Sequence, residues 1–291
     1  MTYDQFIRAV ESILKKEVRD NITVHLHTNM KNNGIRRYGV MLAEQGINVS
    51  PTIYLEEYYQ QFERGVSLEA IVSNILKLYE EVRFERPWKG NPIKDYSAIQ
   101  RKLVYRLINR EKNQELLKQI PSVGYLDLAV VFYVLLETGP FGIASVLVRN
   151  EHLRSWNVSK EMVYQAAHRN TEYLLPDEFC TMKAVIEELT GYREYEGRNV
   201  MYVFSNRTRS FGASAILYDG RLAKIAERLK ENYYVLPSSV HETIIVAESD
   251  APAKDDLDEI IREINETQVD PEEVLSNQAY YYDRKEGKLL L

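Results

Sequence analysis

Residues 199–246, NVMYVFSNRTRSFGASAILYDGRLAKIAERLKENYYVLPSSVHETIIV, decide the fold class. Asn199–Ser205 is rich in strand formers, and Asn206-Arg207-Thr208-Arg209 is a polar turn. Phe211–Tyr218 reads as a small-residue strand. After Asp219-Gly220 the residues Leu222, Ile225, Ala226 and Leu229 recur at helical spacing on one face. Tyr233–Leu236 extends, Pro237-Ser238-Ser239 breaks it, and Val240–Val246 reads as a further strand. Strands and a helix interleaved around short turns predict an α+β fold, with antiparallel or mixed sheets and helices packed against them.

Outward from this stretch, the chain has 291 residues, 45% of them apolar, enough for a substantial core. Its 37 basic and 43 acidic side chains give a net charge of −6, which argues against binding nucleic acid or an anionic membrane through net field. A single cysteine, Cys180, excludes an intramolecular disulfide framework and suits a reducing cytoplasm. Asp4, Arg8 and Glu11 interrupt the first helix, so it does not read as a signal peptide. The most apolar run, Leu126–Leu136, is too short to span a membrane and carries Asp127. Tyrosines number 21 against 8 phenylalanines, a bias that suits half-buried sheets and interfaces.

Tyr3–Val18 spaces Phe6, Val10, Ile13 and Leu14 as an amphipathic helix. Ile22–Thr28 alternates as a strand, and Lys31-Asn32-Asn33-Gly34 predicts a type I′ hairpin turn into a strand over Ile35–Ala43. Ser50 and Pro51 predict a helix N-terminus, with the helix reaching Phe62 and closing at Gly65. Ser67 caps the next helix. This region, 1–88, is expected to be a helix, hairpin, helix, helix unit. The breakers of Pro87-Trp88-Lys89-Gly90-Asn91-Pro92 mark the boundary to a larger α+β domain over 89–291.

In that domain Leu103–Ile108 reads as a strand and Glu111–Gln119 as a short helix. Asp127–Leu136 has the continuous apolar character of a central strand, and Gly142–Val148 returns beside it. Helices are expected over Glu161–Tyr173, Glu178–Leu189 and Asp256–Glu266, with one more beginning at Asp270-Pro271-Glu272-Glu273. Tyr280–Leu291 closes the chain as a hairpin turning near Lys285-Glu286-Gly287. Tyr38-Gly39, Phe141-Gly142 and Phe211-Gly212 echo one another at unequal spacing, which is not a repeat.

Four motifs in order, Lys31-Asn32-Asn33-Gly34, Asn48-x-Ser50-Pro51-Thr52-Ile53-Tyr54-Leu55, Leu126-Asp127-Leu128-Ala129-Val130-Val131-Phe132-Tyr133 and Leu236-Pro237-Ser238-Ser239-x-His241-Glu242, resemble the domain-of-unknown-function family 5688 of gut Firmicutes and their mobile elements. They span nearly the whole chain. The part after Asp127 is more distantly similar to the uncharacterised YtpQ-like family. The resemblance implies a bacterial, intracellular α+β protein and carries no catalytic residue.

The polar motif Ser238, Ser239, His241, Glu242 supports two readings. A serine beside a histidine is the start of a nucleophile–base pair, which needs a third group to orient the imidazole. The same residues also stabilise a tight turn before a strand. A zinc-protease motif fails, because Ile245 stands where the second histidine is needed. His25 and His27 share a strand face and would hold a metal only with a third ligand such as His241, so no metal is expected. Neither Gly-x-Gly-x-x-Gly nor a Walker loop occurs, and no cofactor is expected. Arg101, Lys102, Arg106, Arg110 and Lys112, with Arg207 and Arg209, form the one basic pattern suited to a nucleic-acid module. Asn32, Asn33, Asn48, Arg207 and Arg209 are the candidate binding residues. Cys180 reads as an inert helix thiol.

With no complete catalytic set, the expected function is a non-enzymatic cytoplasmic binding or regulatory protein acting on a host or mobile-element protein, with the Tyr280–Leu291 hairpin edge open to strand addition. The alternatives are a hydrolase using Ser238 or Ser239 with His241, and a nucleic-acid-binding module. Oligomeric state is not legible.

Overall fold

The computed structural model describes residues 1–48, 50–84, 93–139, 142–191 and 200–291. Compact packing divides the chain into two units, Met1–Pro92 and Ile93–Leu291. The expected boundary motif at Pro87–Pro92 lies outside the described residues.

The first unit begins with helix α1 (Tyr3–Glu17), started by a capping box between Thr2 and Gln5 and burying Phe6, Ile7, Val10 and Leu14. Strand β1 (Ile22–Met30) pairs antiparallel with β2 (Arg36–Glu44), from Ile22 opposite Glu44 to Met30 opposite Arg36. Between them Asn33 and Gly34 both take left-handed φ, 59° and 71°, and Ile35 N–H closes on Asn32 C=O at 3.3 Å. This is the backbone sense of a type I′ turn, as Asn-Gly predicts.

The helix expected from Pro51 begins later. Thr52–Tyr54 forms β3, which pairs with Gly39, Val40 and Met41 of β2, and helix α2 covers only Glu56–Glu63. Gly39 explains the difference, since a Cβ there would lie 2.3 Å from Thr52 Cγ2; its absence lets β3 close onto the sheet. Helix α3 (Leu68–Val82) is capped by Ser67 and buries Ile71, Val72, Ile75 and Tyr79 against α1 and the sheet. The first unit is therefore a three-stranded antiparallel sheet, order β1-β2-β3, with three helices.

The second unit opens with the single turn α4 (Tyr96–Ile99) and then β4 (Leu103–Asn109). Helix α5 (Gln114–Leu117) leads to β5 (Ser122–Tyr125), and β6 (Leu128–Gly139) follows. β6 pairs with β4 along one side; its other side pairs first with β5 and then with β7 (Gly142–Leu147), across a bulge between Leu135 and Glu137. As its unbroken apolar run predicts, β6 is central and buried on both faces.

Helix α6 (Asn150–Trp156) and helix α7 (Lys160–Leu174) come next, α7 lying along β4. The helix expected over Glu178–Leu189 is split: Asp177–Thr181 is strand β8, and helix α8 (Met182–Thr190) starts at a Thr181 cap. Pairing with β9 (Met201–Asn206) overrides the helical spacing. The strand expected over Phe211–Tyr218 is instead a buried 3-10 segment, Gly212–Leu217. Its small side chains fit it for close packing beside β4 and β9 rather than for a ladder.

Helix α9 (Arg221–Leu229) leads into β10 (Tyr233–Leu236), and β11 runs over Thr243–Ala247 rather than from Val240. Helix α10 (Lys254–Thr267) follows. The acid, proline, acid motif at Asp270–Glu273 forms a turn, not a helix, and delivers Val274 to a β-bridge with Ser239. β12 (Tyr280–Asp283) and β13 (Lys288–Leu290) form the expected closing hairpin. The resulting six-stranded antiparallel sheet has the order β13-β12-β10-β11-β9-β8.

One face of this sheet shares a core with β4, β6 and α7; the other packs Leu236 and Val246 against Leu257 and Ile261 of α10. The tyrosine excess is not confined to half-buried surfaces, since Tyr105, Tyr233 and Tyr280 are fully buried. Tyr233 donates to Leu222 C=O at 2.9 Å and Tyr280 to Asp127 at 2.5 Å, while Tyr105 packs edge-on to Tyr218. Among the described residues no helix is long and apolar enough to cross a membrane.

Candidate functional sites

The Ser238–Glu242 motif lies in the irregular connection between β10 and β11. Ser239 Oγ accepts the backbone N–H of His241 at 3.0 Å, so this buried serine shapes the turn. The imidazole is held elsewhere. Its Nδ1 accepts the Phe211 N–H at 3.2 Å, and its Nε2 meets Glu273 Oε1 at 3.1 Å. The neutral Nε2-protonated tautomer satisfies both. Glu273 pulls the His241 pKa up against its burial, while the Phe211 amide needs a bare Nδ1, so protonation strengthens one contact as it breaks the other. Among the described residues no hydrogen bond joins Ser238 or Ser239 to the imidazole. Burial pushes the Glu242 carboxyl up.

Around this turn the backbone is tightly clamped. Arg209 and Phe211 take left-handed φ of 47° and 53°, uncommon for residues with side chains. Gly212 is packed so closely that a Cβ would sit 2.1 Å from Ser205 Oγ and 2.6 Å from His241 C=O. Asn206 and Ser205 tie the loop down, Asn206 Nδ2 donating to Ser210 C=O at 3.0 Å and Ser205 Oγ to His241 C=O at 2.7 Å. The clamp sets the Phe211 ring by Arg106, 3.7 Å from its guanidinium, and the Tyr133 ring lies 4.1 Å from the same group. Sequence reading placed Arg106 in a basic run; its position on β4, opposite Val131 of β6, buries it. Only the apolar neighbours on either side of it signalled this.

The basic run is not presented as one exposed row. Arg106 is 4% exposed, and Arg209 is engaged by Glu178 at 3.0 Å and Glu188 at 2.7 Å. Arg207 is exposed and uses its backbone N–H to reach Pro176. Cys180 lies half-buried on β8, not within a helix, with its thiol pKa raised chiefly by burial. A polar cleft of about 610 Å³ between the end of α10 and the Asp270–Val274 turn has Lys112, Asn265, Gln268 and Glu273 in its walls.

In the first unit, His25 and His27 are exposed with ring centroids 6.3 Å apart, and Asn32, Asn33 and Asn48 lie in or near the sheet's loops. Among the described residues no cluster of three metal-ligating side chains is found. The feature that sequence reading missed is the outer edge of β1. Gln45 N–H bonds Asn21 C=O at 2.8 Å and Lys31 N–H bonds Ile35 C=O at 2.7 Å. The alternation of an antiparallel ladder then turns odd-numbered peptides of β1 toward β2 and those of Val24, Leu26, Thr28 and Met30 outward. Among the described residues no hydrogen bond meets these outward groups.

The contrast with β4 is direct, because its outer peptides are capped by side chains. Thr171 Oγ1 takes Tyr105 N–H, Ser214 Oγ takes Leu107 N–H, each at 3.1 Å, and Asn170 Nδ2 gives to Leu103 C=O. The C-terminal edge, β13, is also a terminal strand, but only three residues long.

The model of a family of unknown function, DUF5688, matches residues 3–284. No curated protein and no solved structure matches the chain.

Proposed function

Because the chain belongs to DUF5688, a family of unknown function, we propose its role from geometry: a non-enzymatic binding protein that takes an extended segment of a partner protein as an added strand along β1. One observation carries this reading, the row of four outward peptide groups on a nine-residue edge strand. Exposed edges invite pairing, and the second unit caps its β4 edge with three side chains. Leu26 and Met30 are exposed beside this edge, at 36% and 61%, and give an incoming strand apolar contact on one face while His25 and His27 meet it on the other. The lone cysteine supports a reducing, cytoplasmic setting, and a bacterial host or mobile-element protein is the partner class we favour.

The test uses a photo-crosslinking residue at His25 in the full chain, expressed in cells that natively carry it. Thr28→Pro deletes one outward N–H without touching the ladder to β2, whereas Thr28→Val keeps it. The expected result is one discrete heterologous adduct, reduced at least tenfold by Thr28→Pro and retained by Thr28→Val at unchanged melting temperature. No adduct, an adduct indifferent to proline, or an adduct only with a second copy of the chain overturns the reading.

A further inference from the structure

Arg106 is a charged group buried in the second unit with no countercharge among the described residues. It is 4% exposed. Its Nη2 donates to Ser145 Oγ at 2.8 Å, its Nε is buried with no hydrogen-bond partner, and among the described residues no carboxylate pairs with it. Phe211 at 3.7 Å and Tyr133 at 4.1 Å attract the cation through their rings, and the Tyr133 side chain is also a hydrogen-bonding neighbour, yet neither supplies a countercharge. Burial pulls its pKa down to about 10, which still leaves it charged at neutral pH. Burying an unpaired charge is among the costlier things a fold does. Two half-buried arginines of this unit show the usual solution: Arg209 pairs with Glu178 and Glu188, and Arg221 with Glu172 and Asp177.

We infer that the Arg106 guanidinium, set beside Phe211, Tyr133 and Ser145, is the receptor for the carboxylate of a bound ligand. The unpartnered Nε and the Nη2 that meets Ser145 lie along one edge of the planar guanidinium. An edge that presents Nε and Nη2 together matches a planar carboxylate taken bidentately. The groups that wrap Arg106 are each half-buried rather than buried, so the cation lies one side chain below the surface. Phe211 is the covering residue whose backbone is held in an uncommon conformation, and such strain clusters at ligand clamps. A ligand would have to displace the covering ring, while His241 Nδ1 holds the Phe211 amide. The carboxylate is either a free small acid or the C-terminus of a peptide.

The full chain is titrated at constant ionic strength with benzoate, with a short N-acetylated peptide bearing a free C-terminal carboxylate, with the same peptide amidated, and with phosphate and chloride. The readouts are the Arg106 Nε–H resonance and the melting temperature. A saturable shift of that resonance with benzoate or the free-acid peptide, and none with the amidated peptide or chloride, is expected. Benzoate alone identifies a small-acid site, and the free-acid peptide alone a C-terminus site. Arg106→Met should melt higher than the parent without ligand, since it removes an unpaired charge, and lose the carboxylate response. Arg106→Lys, which keeps the charge but not the fork, should weaken binding at least tenfold. No saturable response to any carboxylate, an equal response in Arg106→Met, or a response to phosphate alone overturns the inference. A lower melting point for Arg106→Met with no carboxylate effect in the parent assigns Arg106 a packing role only.

Discussion

Nδ1 of His241 accepts the amide N–H of Phe211 at 3.2 Å, joining two turns 30 residues apart. The histidine that sequence reading offered as a catalytic base thus serves as an acceptor for the backbone of a strained loop. Replacing it strands a donor in a half-buried site and leaves Glu273 without its imidazole. His241→Ala should lose about 2 kcal/mol of stability in urea unfolding. It should also alter near-UV signals from the Phe211 and Tyr133 rings beside Arg106. A variant as stable as the parent would refute this role.

Gly212 lets the loop approach that close. Gly212→Ala places a methyl within 2.1 Å of Ser205 Oγ and 2.5 Å of the Asn206 nitrogen, and the latter is backbone that cannot swing away. Destabilisation of about 2–3 kcal/mol or more is expected, measured as a lowered denaturant midpoint.

The capped edge of β4 predicts a further loss. Ser214 is 3% exposed and supplies the acceptor for Leu107 N–H. Ser214→Ala leaves that donor unpaired in the core, at a cost of about 1–3 kcal/mol. The comparable change on the uncovered edge, Thr28→Val, should leave chemical unfolding nearly unchanged.

Glu242 gives a pH signature. Burial raises its carboxyl above the ordinary value of 4.5, Glu273 reinforces this and His241 opposes it. The folded chain then holds the proton more tightly than the unfolded one. The stability that comes from this group is complete below the unfolded carboxyl pKa and is lost as pH rises through the raised folded value. Glu242→Gln should therefore gain stability relative to the parent between about pH 4 and pH 7, read from paired urea midpoints. A parallel dependence in both proteins would exclude the mechanism.

Cys180 should be slow. Its half-buried thiol has its pKa raised by burial and by Glu178, against the pull of Arg209. Reaction with a disulfide reagent at pH 7.5 is expected to be at least tenfold slower than in the urea-unfolded chain, accelerating above pH 9.

Much of the architecture was legible where periodicity and turn chemistry agreed. Asn33-Gly34 specified its hairpin, Ser67 its helix start, and the run after Asp127 its central strand. The failures share a cause. Phe179 and Cys180 lie in a stretch with helical spacing, yet pairing with Val203 and Phe204 makes it a strand. Phe211–Tyr218 looked extended because small and β-branched residues suit both strands and tight coils; only the approach of Ser205 and His241 to Gly212 decides between them. In the candidate sites, the proximity of Ser239 to His241 was legible but its partner atoms were not. Arg106 was hidden among exposed-looking cations because nothing in one sequence reports which ring lies over which charge. The outer edge of β1 depends on sheet order, which alternation alone cannot give.

Asp127 accepts the hydroxyls of both Ser276 and Tyr280, the latter 153 residues further along the chain. On the ribosome, where synthesis proceeds at about 5–20 residues per second, this places an interval of roughly 8–30 s between the appearance of the acid and that of its partners. Throughout that time the central strand has been made, but the hydroxyls that cover the acid at its start have not. The second unit is thus a structure that closes late, and synonymous codon changes that slow translation between residues 127 and 280 would lengthen the nascent chain's dependence on chaperones without altering one contact of the finished protein.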